Sequence, residues 1–370
     1  MNEPQKLAII SDQLAGGIGG AEFVAFTLMD LYPHSDIYTT VYNKHIIPAP
    51  YNQRNVYTTY IQNLPWANKF YKAYFPLMPF AVEFLNMQEY DVILSLNHSV
   101  AKGIIPRPDA HHICYCYSPA RYIWDMFWVY SDLNRFNIVQ KIFISAVSNY
   151  IRTWDAVSSN RVDTFVAISR FVARRIKKYY NRDSLIIYPP VNTNNFHFEE
   201  NQDYYLMAGR LVAYKGFELA VEAFNQNGKR LIIVGDGAEY KKLKAMAGKN
   251  IEMPGRVSQT DLIKYFSRCK GFLFPGKEDF GIVMAEAQAA GKPVIAFDGG
   301  GAKDIIIDKE TGILFKHQTT TDLNAAIELS EKTKWDHEYI NTHATKFDIS
   351  MFKAKMTELI DSASMDACSY

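Results

Sequence analysis

Apolar residues along this chain come mostly in short unbroken runs separated by polar, turn-forming stretches. The rhythm is regular in the second half. "YYLMAG" (204–209) precedes the amphipathic "FELAVEAFNQN", and "RLIIVGDG" (230–237) follows. After "AEYKKLKAMAG" come "NIEMPGRV" and "SQTDLIKYFSRC", with Ser258 and Asp261 at capping-box spacing. "GFLF" (271–274), a helical stretch and "PVIAF" (293–297) continue the series. Runs that are apolar throughout predict strands covered on both faces, hence a parallel sheet in a doubly wound α/β domain. The first half is similar but less regular. "KLAII" (6–10), "DIYTTVY" (36–42), "DVILSL" (91–96), "HICYCY" (112–117) and "VDTFVAIS" (162–169) read as strands, with long aromatic-rich helical segments between them. In "LIIYPPVNTNNF" (185–196) two prolines end a strand and a polar run follows, which marks a hinge. The expected architecture is α/β, with two doubly wound domains facing across a cleft of the kind that holds small molecules.

Composition narrows the classes. With 370 residues, 48% of them apolar and 21% charged, the chain can build two sizeable cores. A net charge of +1 counts against a nucleic-acid partner. Four cysteines are present, Cys114, Cys116, Cys269 and Cys368. The spacing of the first two fits neither a zinc knuckle nor a redox C-x-x-C pair, so reduced thiols of a cytoplasmic protein are expected. "MNEPQKLAIISD" runs from polar residues into a strand, unlike a signal peptide. "FYKAYFPLMPFAVEFL" (70–85) is too short to span a bilayer and is broken by Lys72, Glu83 and two prolines. The expectation is a soluble protein, at most peripheral on the inner membrane face.

Candidate chemistry concentrates in "LFPGKEDFGIVMAEAQAAGKPVIAFDGGG" (273–301). Strands "GFLF" and "PVIAF" end on one edge of a parallel sheet, so "PGKEDFG" and "DGGG" line the ridge where open α/β sheets bind ligands. Gly281 lets backbone come close to a ligand, and the amides of Phe280, Gly281, Ile282 and Val283 at a helix start suit an anion. Glu286 shares a helix face with Ile282, Ala289 and Ala290. Fixed there, it would accept from two neighbouring hydroxyls, as on a ribose; the alternative is an acid turned to water at the edge of the stripe. Glu278 could hold a sugar in the same way, or complement the helix dipole. "AGRLVAYKG" brings Arg210 and Lys215 to the same ridge, a pair able to neutralise a diphosphate. No acid pair or His/Asp cluster suggests a metal. "AGGIGGAE" (15–22) has glycines at Gly17, Gly19 and Gly20 but misses the dinucleotide pattern, because Glu22 takes its last position. No acid ends the second strand either. Both points argue against an NAD-dependent oxidoreductase, and the intact charged sets argue against an inactive sugar-binding protein. His111 and His112 are expected at a strand edge.

Together these stretches resemble the retaining glycosyltransferases of family 4, with the GT-B fold, and most of all their bacterial mannosyltransferase-like members. The likeness runs through "GGIGGAE", "CYSPARYIWD", "RTWD", "RVDTFVAISRFVARRIKKYY", "IIYPPVNTNNF", "AGRLVAYKGFELAVEAF", "IIVGDG" and "KEDFGIVMAEAQAAGKPVIAFDGGG". It implies an N-terminal domain over 1–190, rejoined by a last helix at about 346–370, and a donor-binding domain over 191–345. It gives Glu286 the donor ribose and Glu278 the transferred sugar. Arg210 and Lys215 take the diphosphate, the amides from Phe280 to Val283 the sugar and phosphate, and Gly17, Gly19 and Gly20 close on the donor. Gly235 and Arg256 complete the donor set. The family implies no metal and no cofactor; the donor expected is GDP-mannose, with a UDP-sugar as the alternative. Tyr117 departs from the pattern, standing where many relatives have His before Ser118–Pro119. Arg121, Asp125 and His98 remain near the sugar or acceptor. The first domain offers no carboxylate nucleophile, which favours front-face attack. "SRFVARRIKKYYNR" adds Arg170, Arg174, Arg175, Lys177 and Lys178 on an amphipathic helix. The bland reading is a solvated basic face; the sharper one is an anionic membrane surface, with a saccharide or polyprenyl-linked acceptor in O-antigen, lipopolysaccharide or exopolysaccharide assembly.

Overall fold

The computed structural model describes residues 6–17, 19–127 and 137–367, the side chains of 365–367 aside. The chain divides into two units, Met1–Tyr188 with Lys353–Tyr370, and Pro189–Phe352.

The first unit is built on seven parallel strands. They are β1 (Leu7–Ser11), β2 (Asp36–Thr39), β3 (Val56–Thr58), β4 (Val92–Asn97), β5 (His111–Cys116), β6 (Thr164–Ala167) and β7 (Leu185–Ile186). Their order across the sheet is β3-β2-β1-β4-β5-β6-β7. The second unit has six, β8 (Tyr205–Ala208), β9 (Leu231–Val234), β10 (Ile251–Gly255), β11 (Gly271–Phe274), β12 (Val294–Phe297) and β13 (Gly312–Phe315). They lie in the order β10-β9-β8-β11-β12-β13, again all parallel. Each sheet therefore starts at its middle, builds to one side, and returns to build the other. The reversal falls between β1 and β4 in one unit and between β8 and β11 in the other, and such switch points open a crevice at the strands' carboxyl ends.

Packing follows from the apolar runs. Every residue of β4, β8, β9 and β11 is buried, as sheets covered by helices on both faces require. The helix Phe217–Asn227 buries Phe217, Ala220, Val221 and Phe224 at spacings of three and four, against Leu231, Leu273 and Ile295. Complete burial of a side chain such as Phe224 contributes roughly 2–3 kcal/mol. Cys114, Cys116 and Cys269 are buried free thiols, and Cys368 lies outside the described residues.

Three details differ from the periodicity. β3 and β13 carry too little signal alone: β3 is a three-residue edge strand, and β13 follows a turn-rich stretch. The aromatic stretch from 51 to 77 forms short 3₁₀ turns at Tyr51–Gln53, Tyr60–Asn63 and Tyr71–Leu77 rather than long helices, where prolines remove helix donors. His112 does not sit at an edge. β5 is interior to the sheet, and the fully buried imidazole bonds the Ser95 hydroxyl (2.8 Å) and the Arg161 carbonyl (3.0 Å). Burial lowers its pKa to about 4, so it is neutral.

Candidate functional site

At the switch point of the second unit, loops from β8, β11 and β12 are laid backbone on backbone. Glycine makes this possible. A Cβ on Gly276, after β11, would sit 2.5 Å from the Cα of Lys215, after β8. A Cβ on Gly300, after β12, would sit 2.1 Å from the Glu278 carbonyl oxygen, and Gly300 has φ +66° besides. The Gly301 amide donates to that carbonyl at 2.9 Å. "PGKEDFG" is thus clamped between its neighbours, and Glu278 is held in place by its own backbone.

The charged groups meet there. Lys215 Nζ lies 3.1 Å from Glu278 Oε1, with both side chains largely buried. The same ammonium lies 3.1 Å from where a Cβ on Gly209 would be, so the glycine ending "YYLMAG" leaves room for it. Sequence reasoning gave Lys215 and Glu278 separate tasks; the structure makes them one ion pair. Arg210 is exposed, and no described residue pairs with it. The helix Ile282–Ala289 begins at Gly281 (φ 94°), which has no side chain to cap the first amides. Phe280 turns its ring inward, edge-on to Phe347 at 5.4 Å, so only its backbone is available to the loop.

Glu286 stands one turn into that helix, among buried Ala285, Ala287 and Ala289. It is half-buried, and no hydrogen bond or ion pair from a described residue reaches its carboxylate. Burial pushes its pKa up to about 7. Gly235 is tightly packed: a Cβ there would meet the Gly209 carbonyl oxygen at 1.9 Å, and its amide donates to the Gly255 carbonyl at 2.9 Å. Arg256 is exposed just past β10.

The first unit repeats the arrangement at its own switch point. After β1, the fully buried Asp12 accepts from the amides of Val100 (2.6 Å) and Ala101 (2.7 Å) and pairs with His98 Nδ1 (2.9 Å), just past β4. Burial opposes the charge on Asp12, but His98 and these amides outweigh it and hold the carboxyl below its usual range. Burial opposes the proton on His98 too, and Asp12 outweighs it, raising the imidazole above its usual value. Sequence reasoning missed Asp12, although the acid directly after "LAIIS" was its signal. Gly17 has φ +99° with open space around it, and the Gly19 amide donates to Glu22 (2.9 Å). The acid that spoils the dinucleotide pattern therefore caps the helix Gly20–Leu31. Tyr117 donates its hydroxyl to the Ala21 carbonyl in that helix's first turn (2.9 Å), its ring 6.2 Å from His98.

One expectation needs correction. Arg175 is not on an exposed basic face: it is buried, paired with Asp125 and donating to Ser118 Oγ at 2.8 Å. Asp125 is the ion-pair partner of Arg175. Arg170, Arg174, Lys177 and Lys178 do lie exposed, with Lys177 paired to Asp183 at 3.0 Å. A buried network also went unread. Lys102 Nζ contacts Asp155 Oδ1 (2.7 Å) and Ser158 Oγ (2.8 Å), while Asp155 Oδ2 accepts from Trp124 (2.7 Å) and Tyr180 (2.9 Å). "RYIWD" and "RTWD" are thus tied to each other. Among the described residues no group of His, Cys, Asp and Glu could hold a metal ion.

Residues 191–347 match the family model for glycosyl transferases group 1. The chain is similar to an uncharacterized glycosyltransferase, MJ1178, of Methanocaldococcus jannaschii, 29% identical over 45% of this chain and 48% of that protein. The D-rhamnosyltransferase WbpZ of Pseudomonas aeruginosa is 25% identical over 56% of this chain and 57% of its own. The chain thus spans about half the length of these curated relatives. A GDP-mannose-dependent alpha-mannosyltransferase of Corynebacterium glutamicum is 35% identical over 29% of this chain and 26% of its own. Among solved structures, Anabaena Alr3699/HepE in complex with UDP superimposes with a TM-score of 0.71 at 17% identity, covering 97% of this chain and 100% of that one. Sucrose-phosphate synthase from Thermosynechococcus elongatus gives 0.74 at 18%, covering 97% and 99%. Residues 191–347 thus match the group 1 glycosyl transferases, and the chain has the two Rossmann-like units of the GT-B fold.

Proposed function

We propose that the protein transfers a hexosyl group, mannose from GDP-mannose, to a hydroxyl of a saccharide or polyprenyl-linked glycan, with retention at the anomeric carbon and without a metal. One observation carries the reading: the Lys215–Glu278 pair stands beside the uncapped start of Ile282–Ala289, and Glu286 follows one turn on. In this reading Glu286 accepts from the two ribose hydroxyls, and Glu278 holds hydroxyls of the transferred sugar while orienting Lys215. As the bond from the anomeric carbon to the diphosphate oxygen breaks, its electron pair moves onto the diphosphate. Lys215, Arg210 and the helix amides meet that charge. The acceptor oxygen bonds to the anomeric carbon from the same face, and its proton passes to the leaving phosphate oxygen. Loss of one such preorganised donor costs roughly 10²–10³ in kcat. Gly17, Gly19 and Gly20 are assigned to the donor, and His98, Tyr117, Arg121 and Asp125 to the sugar or acceptor.

The GDP-mannose-dependent relative supports the donor; the UDP bound to the Anabaena protein supports a UDP-sugar as the second reading. Thermal stability against saturating GDP, UDP, ADP and NAD tests both, with Glu286→Gln in parallel. A nucleotide at one hundred times its Kd adds roughly 2.7 kcal/mol. GDP alone should stabilise the wild type, and less so the variant. A response to UDP alone would move the donor to the second reading, and a response to NAD alone would overturn the proposal.

A further inference from the structure

The first unit leaves much large apolar surface in water. On the helix Ile138–Ser158, residues Ile138, Val139, Ile142 and Phe143 are 69, 71, 64 and 66% exposed. Positions 139, 142, 143, 146 and 150 share one face by spacings of three and four, while Ser148, Ile151 and Asp155 are buried. Tyr150 stacks on Phe80 with ring centroids 5.6 Å apart. Phe84, four residues on and 82% exposed, meets the edge of Tyr60 at 6.3 Å. The turn Tyr60–Asn63 packs against Ala67–Phe70, which carries exposed Phe70 and, at its N-cap, Trp66 at 76%. Single exposed apolar residues are ordinary, but adjoining elements that share such a surface mark an interaction site.

We propose that this surface lies against an anionic lipid bilayer. Charge selects the occupant. Segments 55–88 and 137–162 contain Lys69, Lys72, Lys141, Arg152 and Arg161 but only two acids, Glu83 and Asp155. Neither acid is free: Glu83 accepts from Arg161 (2.5 Å) and Trp154 (2.9 Å), and Asp155 is buried on Lys102. Exposed Lys69 and Lys72 and partly exposed Lys141 therefore border an apolar surface on which no acid of the described residues 55–88 and 137–162 is left to answer them. A second copy seated there would bring like charges together. A bilayer supplies apolar depth for the phenylalanines, a headgroup zone suited to Trp66, Tyr60 and Tyr150, and anions for the lysines. No helix among the described residues is long and apolar enough to cross a membrane, so the contact is interfacial. It differs from the basic helix Arg170–Tyr180, which presents charge with no large exposed aliphatic side chain.

The test is co-sedimentation of the full chain with phosphatidylglycerol–phosphatidylcholine vesicles and with phosphatidylcholine alone. The wild type should sediment with the anionic vesicles and less with the neutral ones. Ile142→Ser/Phe143→Ser should weaken binding by about tenfold or more. Arg174→Gln/Lys178→Gln should stay within about twofold, because that helix does not make the contact. All these side chains are exposed, so circular dichroism should report intact folds. Brominated lipid should quench wild-type emission more than that of Trp66→Phe, a readout that needs no helix variant. A wild type left in the supernatant, or apolar variants that sediment undiminished, would overturn the proposal. So would a dimer in light scattering that Phe143→Ser dissociates, since the occupant would then be a second copy. No readout requires nucleotide, so this surface stands or falls apart from the donor assignment.

Discussion

Glu286 is the residue whose chemistry its surroundings change most within the candidate site. A carboxyl whose folded pKa is raised to about 7 from 4.5 favours the folded state while protonated. That contribution is complete below 4.5 and is lost as pH rises through about 7. Relative to Glu286→Gln, the wild type should lose about 1–2 kcal/mol across this window, after allowance for partial exposure. Urea denaturation of both proteins at acid and alkaline pH measures it, and a constant difference would mean the carboxylate is solvated after all. Nucleotide affinity should move the other way, because ribose hydroxyls need the ionised acid. Asp12 and His98 act as a pair. The lowered Asp12 pKa contributes stability above 3.8 that is lost as pH falls through its folded value. The raised His98 pKa contributes stability below 6.5 that is lost as pH rises through its folded value. Asp12→Asn should cost about 3 kcal/mol near neutral pH, since it leaves buried amides and the His98 ring without their carboxylate partner.

Among elements, the three loops after β8, β11 and β12 are the inseparable set. Two glycines with similar left-handed backbones allow a controlled comparison: Gly228 (φ +69°) has nothing within 4 Å of its missing Cβ, while Gly300 (φ +66°) faces the Glu278 carbonyl. Gly228→Ala should cost about 1 kcal/mol from its backbone alone and keep full nucleotide stabilisation. Gly300→Ala should cost at least twice that and abolish the nucleotide response, because the loop holding Glu278 must shift. Equal melting points for the two variants would show that the loops are not clamped. The helix start belongs to the same unit of design, since a glycine cap leaves its first amides uncovered.

At the scale of the molecule, two parallel sheets with the same strand order place their chemistry at corresponding edges. The first unit depends on Lys102 as well, which lies at its centre with Asp155, both fully buried. Lys102→Met should destabilise by about 3–5 kcal/mol by leaving a charge without its partner. Lys102→Met/Asp155→Asn should lose less than the two single changes summed, because the charge itself is gone. Calorimetry of the three variants checks this, and strict additivity would show that the pair is uncoupled.

Local pattern was enough for the larger part of the fold. Unbroken apolar runs such as "RLIIVGDG" and "GFLF" must be covered on both faces, and that demand alone implies parallel, doubly wound sheets. The glycines and acids of "KEDFGIVMAEAQAAG" marked the ridge, because chain direction in a parallel sheet puts those loops on one edge. What lay beyond the sequence depends on partners far apart in the chain. Lys215 finds Glu278, Arg175 finds Asp125, and Lys102 finds Asp155 only when separate strands and helices bring them within reach. No spacing along the chain announces such pairs, so a basic run looked uniformly solvated although one of its arginines was buried. Composition and periodicity determined which surfaces had to be hidden. The tertiary structure decided which charges were hidden with them, and which apolar side chains stayed outside, because burial belongs to the assembled layers and not to any single element.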